Sequence, residues 1–174
     1  MAELAAHPTM CTAVVVTVGL PTARATAGLG ERLAVVLRRG DLVLLTGDLG
    51  AGKTTLAQGI GAGLRVRGPV TSPTFVIARI HPSLTQGPDL VHVDAYRLGT
   101  ALELDDLDLD ADFDHSVVVV EWGHGIAEAL SSDRLEVRLD GRTQRTARVV
   151  GIGPRWNHPA AAGALRSLFA PPLA

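Results

Sequence analysis

The chain has 174 residues, 47% of them hydrophobic, with a net charge of −2 at pH 7 and a pI near 6.3. That length suits one domain with a substantial core, and the slight acidic balance speaks against an autonomous nucleic-acid binder, which needs a basic surface. Aromatic residues make up only 3%, too few for a platform that stacks single-stranded bases, and no apolar run approaches the length of a membrane span.

Residues 1–11 read as a flexible N-terminus, with neither the basic region nor the apolar stretch of a secretory signal. Cys11 is the single cysteine, so no intrachain disulfide forms, which fits a reducing cytoplasm. The six histidines show no zinc-type spacing and read as solvated or core residues. Thr12–Val18 is β-branched and reads as a first strand. Pro21 and Thr22 open a helix to about Leu37, with Leu29, Leu33 and Val36 on its apolar stripe.

Leu42–Thr46 is a short apolar run, expected as a buried strand. Gly47-Asp48-Leu49-Gly50-Ala51-Gly52-Lys53-Thr54 follows and fits G-x-x-x-x-G-K-[ST] at every fixed position. Behind it Leu56, Ile60 and Leu64 recur four apart on one helix face. Strand, glycine-rich loop and helix together form a phosphate site. Glycines 47, 50 and 52 permit positive φ and bring backbone N–H groups close to phosphate oxygens, and the helix N-terminus adds its dipole. Gly50, Ala51, Gly52, Lys53, Thr54 and Thr55 are the candidate phosphate contacts, with Lys53 on the β- and γ-phosphates of a bound nucleotide and the Thr54 hydroxyl on Mg²⁺.

Val70–Phe75, which contains Ser72-Pro73-Thr74, leads into a strand expected through about Ile80, followed by a polar loop at 82–88. Leu90–Asp94 reads as a strand delivering an acid at its end, followed by a helix over Thr100–Leu107. Seven acids between Glu103 and Asp114 suggest calcium, but an EF-hand loop beginning at Asp106 or Asp108 lacks its sixth-position glycine and twelfth-position glutamate. A solvated or partner-docking acidic face is the better reading. Ser116–Val120 is a strand ending at Glu121. Gly125–Leu130 reads as a short helix, Leu135–Leu139 and Ala147–Ile152 as two late strands, and Ala160–Phe169 as a terminal helix before Pro171-Pro172.

Alternating strands and helices predict a three-layer α/β fold, a mainly parallel sheet with antiparallel edge strands. The ATPase domain is expected over 12–157, with a terminal helix and a disordered Pro-rich tail over 158–174. Ligands of such sheets bind beyond the carboxyl ends of the strands, where Lys53, Thr54, Asp94 and Glu121 all fall. Asp94 and Glu121 divide two roles between them, holding Mg²⁺ and orienting the attacking water.

Four motifs, Gly47–Thr55, Ser72–Phe75, His92–Leu98 and Val120–Trp122, stand in the order and spacing of the TsaE family, and the resemblance covers roughly residues 12–152. It implies an Mg²⁺-dependent ATPase that supports threonylcarbamoyladenosine formation in tRNA. The implied partners are a transferase subunit and its inactive-paralogue partner (TsaD- and TsaB-like), with tRNA reached only through that complex. By motif, Lys53 resembles the phosphate lysine, Thr54 and Glu121 the Mg²⁺ ligands, and Asp94 an acid near metal and γ-phosphate. Ser72 and Thr74 resemble a switch segment, and Trp122 the tryptophan beside the active acid. Thr26 resembles a threonine near adenine, and Arg145 a late arginine on the nucleotide, with Arg142 and Arg148 close by. The chain departs from the family pattern at Gly123-His124, where Pro and then an acid or Gln are common, and at Ala95, where Leu is usual. Two rival readings are a small-metabolite P-loop kinase and a nucleotide-dependent docking module. A GTPase of the Asn-Lys-x-Asp type is excluded, because Asn157 is the only asparagine and His158 follows it.

Overall fold

The computed structural model describes residues 14–73, 77–107, 109, 113–141 and 144–169. In chain order the elements are β1 (Val14–Leu20), α1 (Ala23–Ala34), β2 (Leu42–Gly47), α2 (Lys53–Leu64), β3 (Ala78–His81), β4 (Asp89–Asp94), α3 (Ala101–Asp105), β5 (Ser116–Glu121), β6 (Arg134–Asp140), β7 (Arg145–Ile152), α4 (Pro154–Asn157) and α5 (Pro159–Ser167). Short 3₁₀ turns occupy Ala95–Arg97 and Ala127–Leu130.

Strands β6, β2, β5 and β4 run parallel side by side. Antiparallel β3 closes one edge, and β7 then β1 extend the other, giving the order β1-β7-β6-β2-β5-β4-β3. This is the α/β sheet that the alternation predicts. Every residue of β5 and the first four of β2 are buried, because helices or turns cover both faces of these strands and an unbroken apolar run is what such a position needs. On one face Val43, Leu45, Val117, Val119, Leu135 and Val137 meet α1, α2 and α5. On the other, Leu42, Leu44, Val91, Val93, Val118 and Val120 meet Leu104 of α3 and Ala127. By contrast β6 alternates buried with open positions, since its second face has no helix over it.

Three predicted elements come out shorter. The first helix ends at Ala34 because Val35 and Val36 bond to carbonyls three residues back, which tightens the last turn, although Leu37 still enters the core. The strand expected after Phe75 through about Ile80 begins only at Ala78 and runs to His81. Ile77 sits at φ 68 and donates its N–H to Pro73 O at 2.7 Å, a reversal that extended pairing does not allow. The helix over 100–107 is one short turn and a half, capped by the Thr100 hydroxyl. The 1–11 segment, Thr74, and the 170–174 tail lie outside the described residues.

Two contacts hold the layer that carries the phosphate motif. Helices α1 and α2 cross where Gly59 lies on the Ala27 backbone and Gly30 on the Leu56 carbonyl, so a Cβ at either glycine collides with main chain. Farther down, Arg155 of α4 reaches Asp41 at the foot of β2 through Nε and Nη2, both at 3.2 Å, and donates to Val36 O at 2.9 Å. Burial pushes the Asp41 carboxyl above its usual range, opposed by the Arg38 N–H and the Arg155 charge.

Gly59→Ala is expected to lower stability by about 1–3 kcal/mol through overpacking, measurable as a lower urea midpoint. Arg155→Leu leaves a buried carboxylate without its cation and is expected to cost about 3–5 kcal/mol near neutral pH. An acid with a raised folded pKa destabilises above that pKa and not below its unfolded value. The Arg155→Leu deficit therefore shrinks as pH falls through the raised Asp41 pKa, and denaturation at a series of pH values tests that sign.

Candidate functional site

The site begins where β2 runs out. Gly47, Gly50 and Gly52 have φ of 136°, 80° and 107°, so the loop turns back over the end of the strand in a path closed to most side chains. Gly47 has a second reason: a Cβ there runs into the Leu139 carbonyl of neighbouring β6. Gly52 caps α2 in the left-handed region and offers no side-chain acceptor. The first-turn N–H groups of α2 consequently lack an intrahelical partner and form a region of positive potential.

Lys53 is 5% exposed. Its ammonium donates to Gly47 O at 2.7 Å and Asp48 O at 2.9 Å, and lies 3.6 Å from the centroid of the Trp122 ring. Burial pushes its pKa below the ordinary lysine range, while Glu121, Asp94 and Asp48 pull it back up. The structure thus holds a dry cation at the mouth of a helix.

The acids come from adjacent parallel strands. Register pairs Asp94 of β4 with Glu121 of β5 at the carboxyl ends. Glu121 Oε2 accepts the Thr54 hydroxyl at 3.1 Å, and Oε1 lies 2.8 Å from His92 Nε2. Asp94 Oδ2 accepts the Ser72 hydroxyl at 3.2 Å, and Oδ1 accepts the Tyr96 N–H at 3.1 Å. Trp122 sits at φ 62, its N–H on Leu45 O and its ring edge-on to Tyr96 at 5.3 Å.

These side chains surround one cavity of about 270 Å³, lined by the loop, Lys53, Thr54, Thr55, Ser72, Asp94, Glu121 and Trp122. The fold therefore brings most of the expected site residues together. Thr26, fully buried on α1, abuts Gly52 from behind the loop. Arg145 stands apart: it opens β7 opposite Leu20, and its buried Nε has no hydrogen-bond partner among the described residues. Arg148 instead lines a larger cavity of about 550 Å³ between Trp122, His124 and the uncovered face of β6 and β7, reaching Gly47 and Asp48. Arg142, like Thr74, lies outside the described residues. From sequence, His92 falls among the histidines read as solvated or core residues. It lies two residues before Asp94 on the same strand face, a spacing that could have placed it at the acids.

Among the described residues no three His, Cys, Asp or Glu side chains form a metal cage. A Mg²⁺ ion takes one or two protein oxygens and leaves its other positions to phosphate and water. The Thr54 hydroxyl and Glu121 carboxylate, in mutual contact and beside Asp94, supply hard oxygen donors of that kind. No helix among the described residues is long and apolar enough to cross a membrane.

Residues 20–150 match the family model described as "Threonylcarbamoyl adenosine biosynthesis protein TsaE". The chain is 61% identical over 135 residues to the tRNA threonylcarbamoyladenosine biosynthesis protein TsaE of Streptomyces coelicolor, covering 74% of this chain and 91% of that one. It is 50% identical to the protein of the same name from Mycobacterium tuberculosis, over 76% of this chain and 83% of that one. A crystal structure of Bacillus subtilis YdiB superposes with a TM-score of 0.69 at 28% identity, covering 91% of this chain and 96% of that one. With the matched segment running from the end of β1 to late β7, and so enclosing the loop, both acids and Trp122, the chain belongs to the TsaE family.

Proposed function

We propose that this chain is an Mg²⁺-dependent ATPase whose hydrolysis supports threonylcarbamoyladenosine formation in tRNA. In this reading it acts in the cytoplasm with a transferase subunit and its inactive-paralogue partner, and meets tRNA only through them. One observation carries the reading: Lys53, Thr54, Asp94 and Glu121 converge on a single small cavity beyond the parallel strands, at the N-terminus of α2. The names of the relatives supply the tRNA pathway.

The residues divide the work. Backbone N–H groups of Gly50 to Thr55 cradle the phosphates, and Lys53 takes the β- and γ-oxygens as a point charge. Its burial makes that charge stronger towards a phosphate than a hydrated lysine is. Thr54 and Glu121 hold Mg²⁺, which when bound neutralises charge on the β- and γ-phosphates. Asp94, next to the γ-phosphate position, orients the attacking water, and Ser72 with Thr74 senses whether that phosphate is present. Thr26 and Arg145 are assigned to the nucleoside end. Trp122 must yield its place over Lys53 as phosphate arrives.

The larger cavity favours a second reading, a kinase that carries the γ-phosphate to a small acceptor. Against it, Arg145 and Arg148 lie within strand β7 and not on a mobile lid.

ATP hydrolysis is to be measured for the chain alone and with the two partner subunits. Stimulation by the pair is expected, together with a loss of about 10²-fold or more in Lys53→Ala and Glu121→Ala. Normal rates in both variants overturn the site assignment, and a phosphorylated small molecule establishes the kinase instead. Lys53→Ala is expected to keep or raise the melting temperature of the nucleotide-free protein. A base whose folded pKa is lowered costs stability at pH values below it, and the substitution removes that cost. Chelation of Mg²⁺ is expected to abolish hydrolysis in the wild type.

A further inference from the structure

Histidine 92 stands in the middle of β4, between Val91 and Val93, and all three are fully buried. A buried imidazole is a poor choice for stability alone. His92 Nδ1 is buried and has no hydrogen-bond partner among the described residues, and an unsatisfied polar atom of that kind costs about 1–3 kcal/mol. A leucine or valine would fill the same strand position without that cost. What the imidazole does have is one bond, from Nε2 to Glu121 Oε1 at 2.8 Å.

The register explains how the bond arises. Asp94 lies directly opposite Glu121, and His92 pairs with Val119. Side chains two apart share a strand face, so His92, Asp94 and Glu121 all project towards α2, with His92 one repeat below the acids. From there it meets the lower oxygen of Glu121 and leaves Oε2 turned up to the Thr54 hydroxyl. Because Nδ1 has no acceptor to donate to, the arrangement calls for the tautomer that carries its proton on Nε2 and donates it to the carboxylate.

We propose that His92 is a positioning residue for metal binding: its Nε2–H locks the rotation of the Glu121 carboxylate so that Oε2 is presented, beside Thr54, to a divalent cation. This rests on the reading of Glu121 as an Mg²⁺ ligand. Outer-shell donors of this kind are worth about 10- to 100-fold in metal affinity. A free carboxylate in the same pocket would divide its time among rotamers, and part of the metal affinity would go into ordering it.

The test compares wild type, His92→Leu, which deletes the donor, and His92→Gln, whose amide can donate from a similar reach. ATP binding is followed calorimetrically across a Mg²⁺ titration and again in excess chelator, and thermal unfolding is recorded for each protein. His92→Leu is expected to raise the Mg²⁺ concentration for half-maximal effect about tenfold or more. Its metal-free ATP affinity, set by the loop and Lys53, is expected to stay within about twofold, and His92→Gln to recover most of the loss. In a Glu121→Ala background, His92→Leu is expected to have no further effect on the Mg²⁺ dependence, because the residue it acts through is gone.

A folded His92→Leu protein with wild-type Mg²⁺ dependence overturns the proposal while leaving the ATPase reading intact. A wild type whose ATP binding ignores Mg²⁺ removes the ATPase reading and the proposal together. Should His92→Leu fail to fold, ¹⁵N spectra of the metal-free wild type decide. Protonation on Nε2, with a slowly exchanging proton whose shift moves in Glu121→Gln, supports the positioning role, and the Nδ1 tautomer excludes it.

Discussion

The carboxyl end of the sheet holds charge where there is almost no water. Lys53, Asp94 and Glu121 are each about 5% exposed or less, and His92 is not exposed at all. Groups this dry are costly unless their polar atoms find partners, and among the described residues only His92 Nδ1 of this set lacks one. Lys53 has two carbonyls and a ring face, Glu121 a hydroxyl and an imidazole, and Asp94 a hydroxyl and a backbone N–H. Those partners come from β2 and the loop after it, α2, the segment that carries Ser72, β4 and the turn after it, and the residue that follows β5, so the site exists only when all of these are in place. Conversely, the same bonds constrain how those elements may shift. Pairing of this kind holds fixed dipoles and a poorly hydrated cation in one place, with Lys53 engaged by Gly47 O, Asp48 O and the Trp122 ring.

Parallel topology makes the convergence possible. Strands running the same way deliver their last residues to one edge, so Asp94 and Glu121 stand level with each other and β2 runs two residues past Leu45, their neighbour in register, to reach Gly47. The strands that do this are also the ones with both faces covered, and their buried interior positions are apolar apart from His92. A charged residue at the close of such a run is therefore set apart by burial below and solvent above. This explains why an apolar strand ending in an acid is informative in a way that an acid in a loop is not.

Much of this could be read from the chain alone, because the phosphate motif and the strand-terminal acids are local patterns with a mechanical reason. Lys53 and Thr54 follow from a loop whose glycines must adopt positive φ, and they do. What escaped has a common cause: it depends on register or on contacts between distant segments. The His92–Glu121 bond joins residues 29 apart in sequence, and nothing in either motif states how β4 slides against β5. The Arg155–Asp41 clip spans 114 positions and has no sequence pattern at all. Strand β3 starts only at Ala78 because the chain reverses at Ile77, itself β-branched and so of a type that gives no sign of a left-handed turn. The place of Arg145, opposite Leu20 of β1, is likewise set by strand pairing and not by its spacing from the other motifs.

Trp122 shows how these constraints meet in one residue. A bulky side chain at φ 62 is strained, and the strain is held by an N–H bond to Leu45 and an edge contact with Tyr96. The result places the indole face against the Lys53 ammonium, which has given up water and receives a π-face in return. Position 122 directly follows Glu121, so the backbone that sets the carboxylate also sets the ring. The ring is also the link from Lys53 to the exposed Tyr96, so a buried ammonium and a surface side chain are joined through a single strained residue.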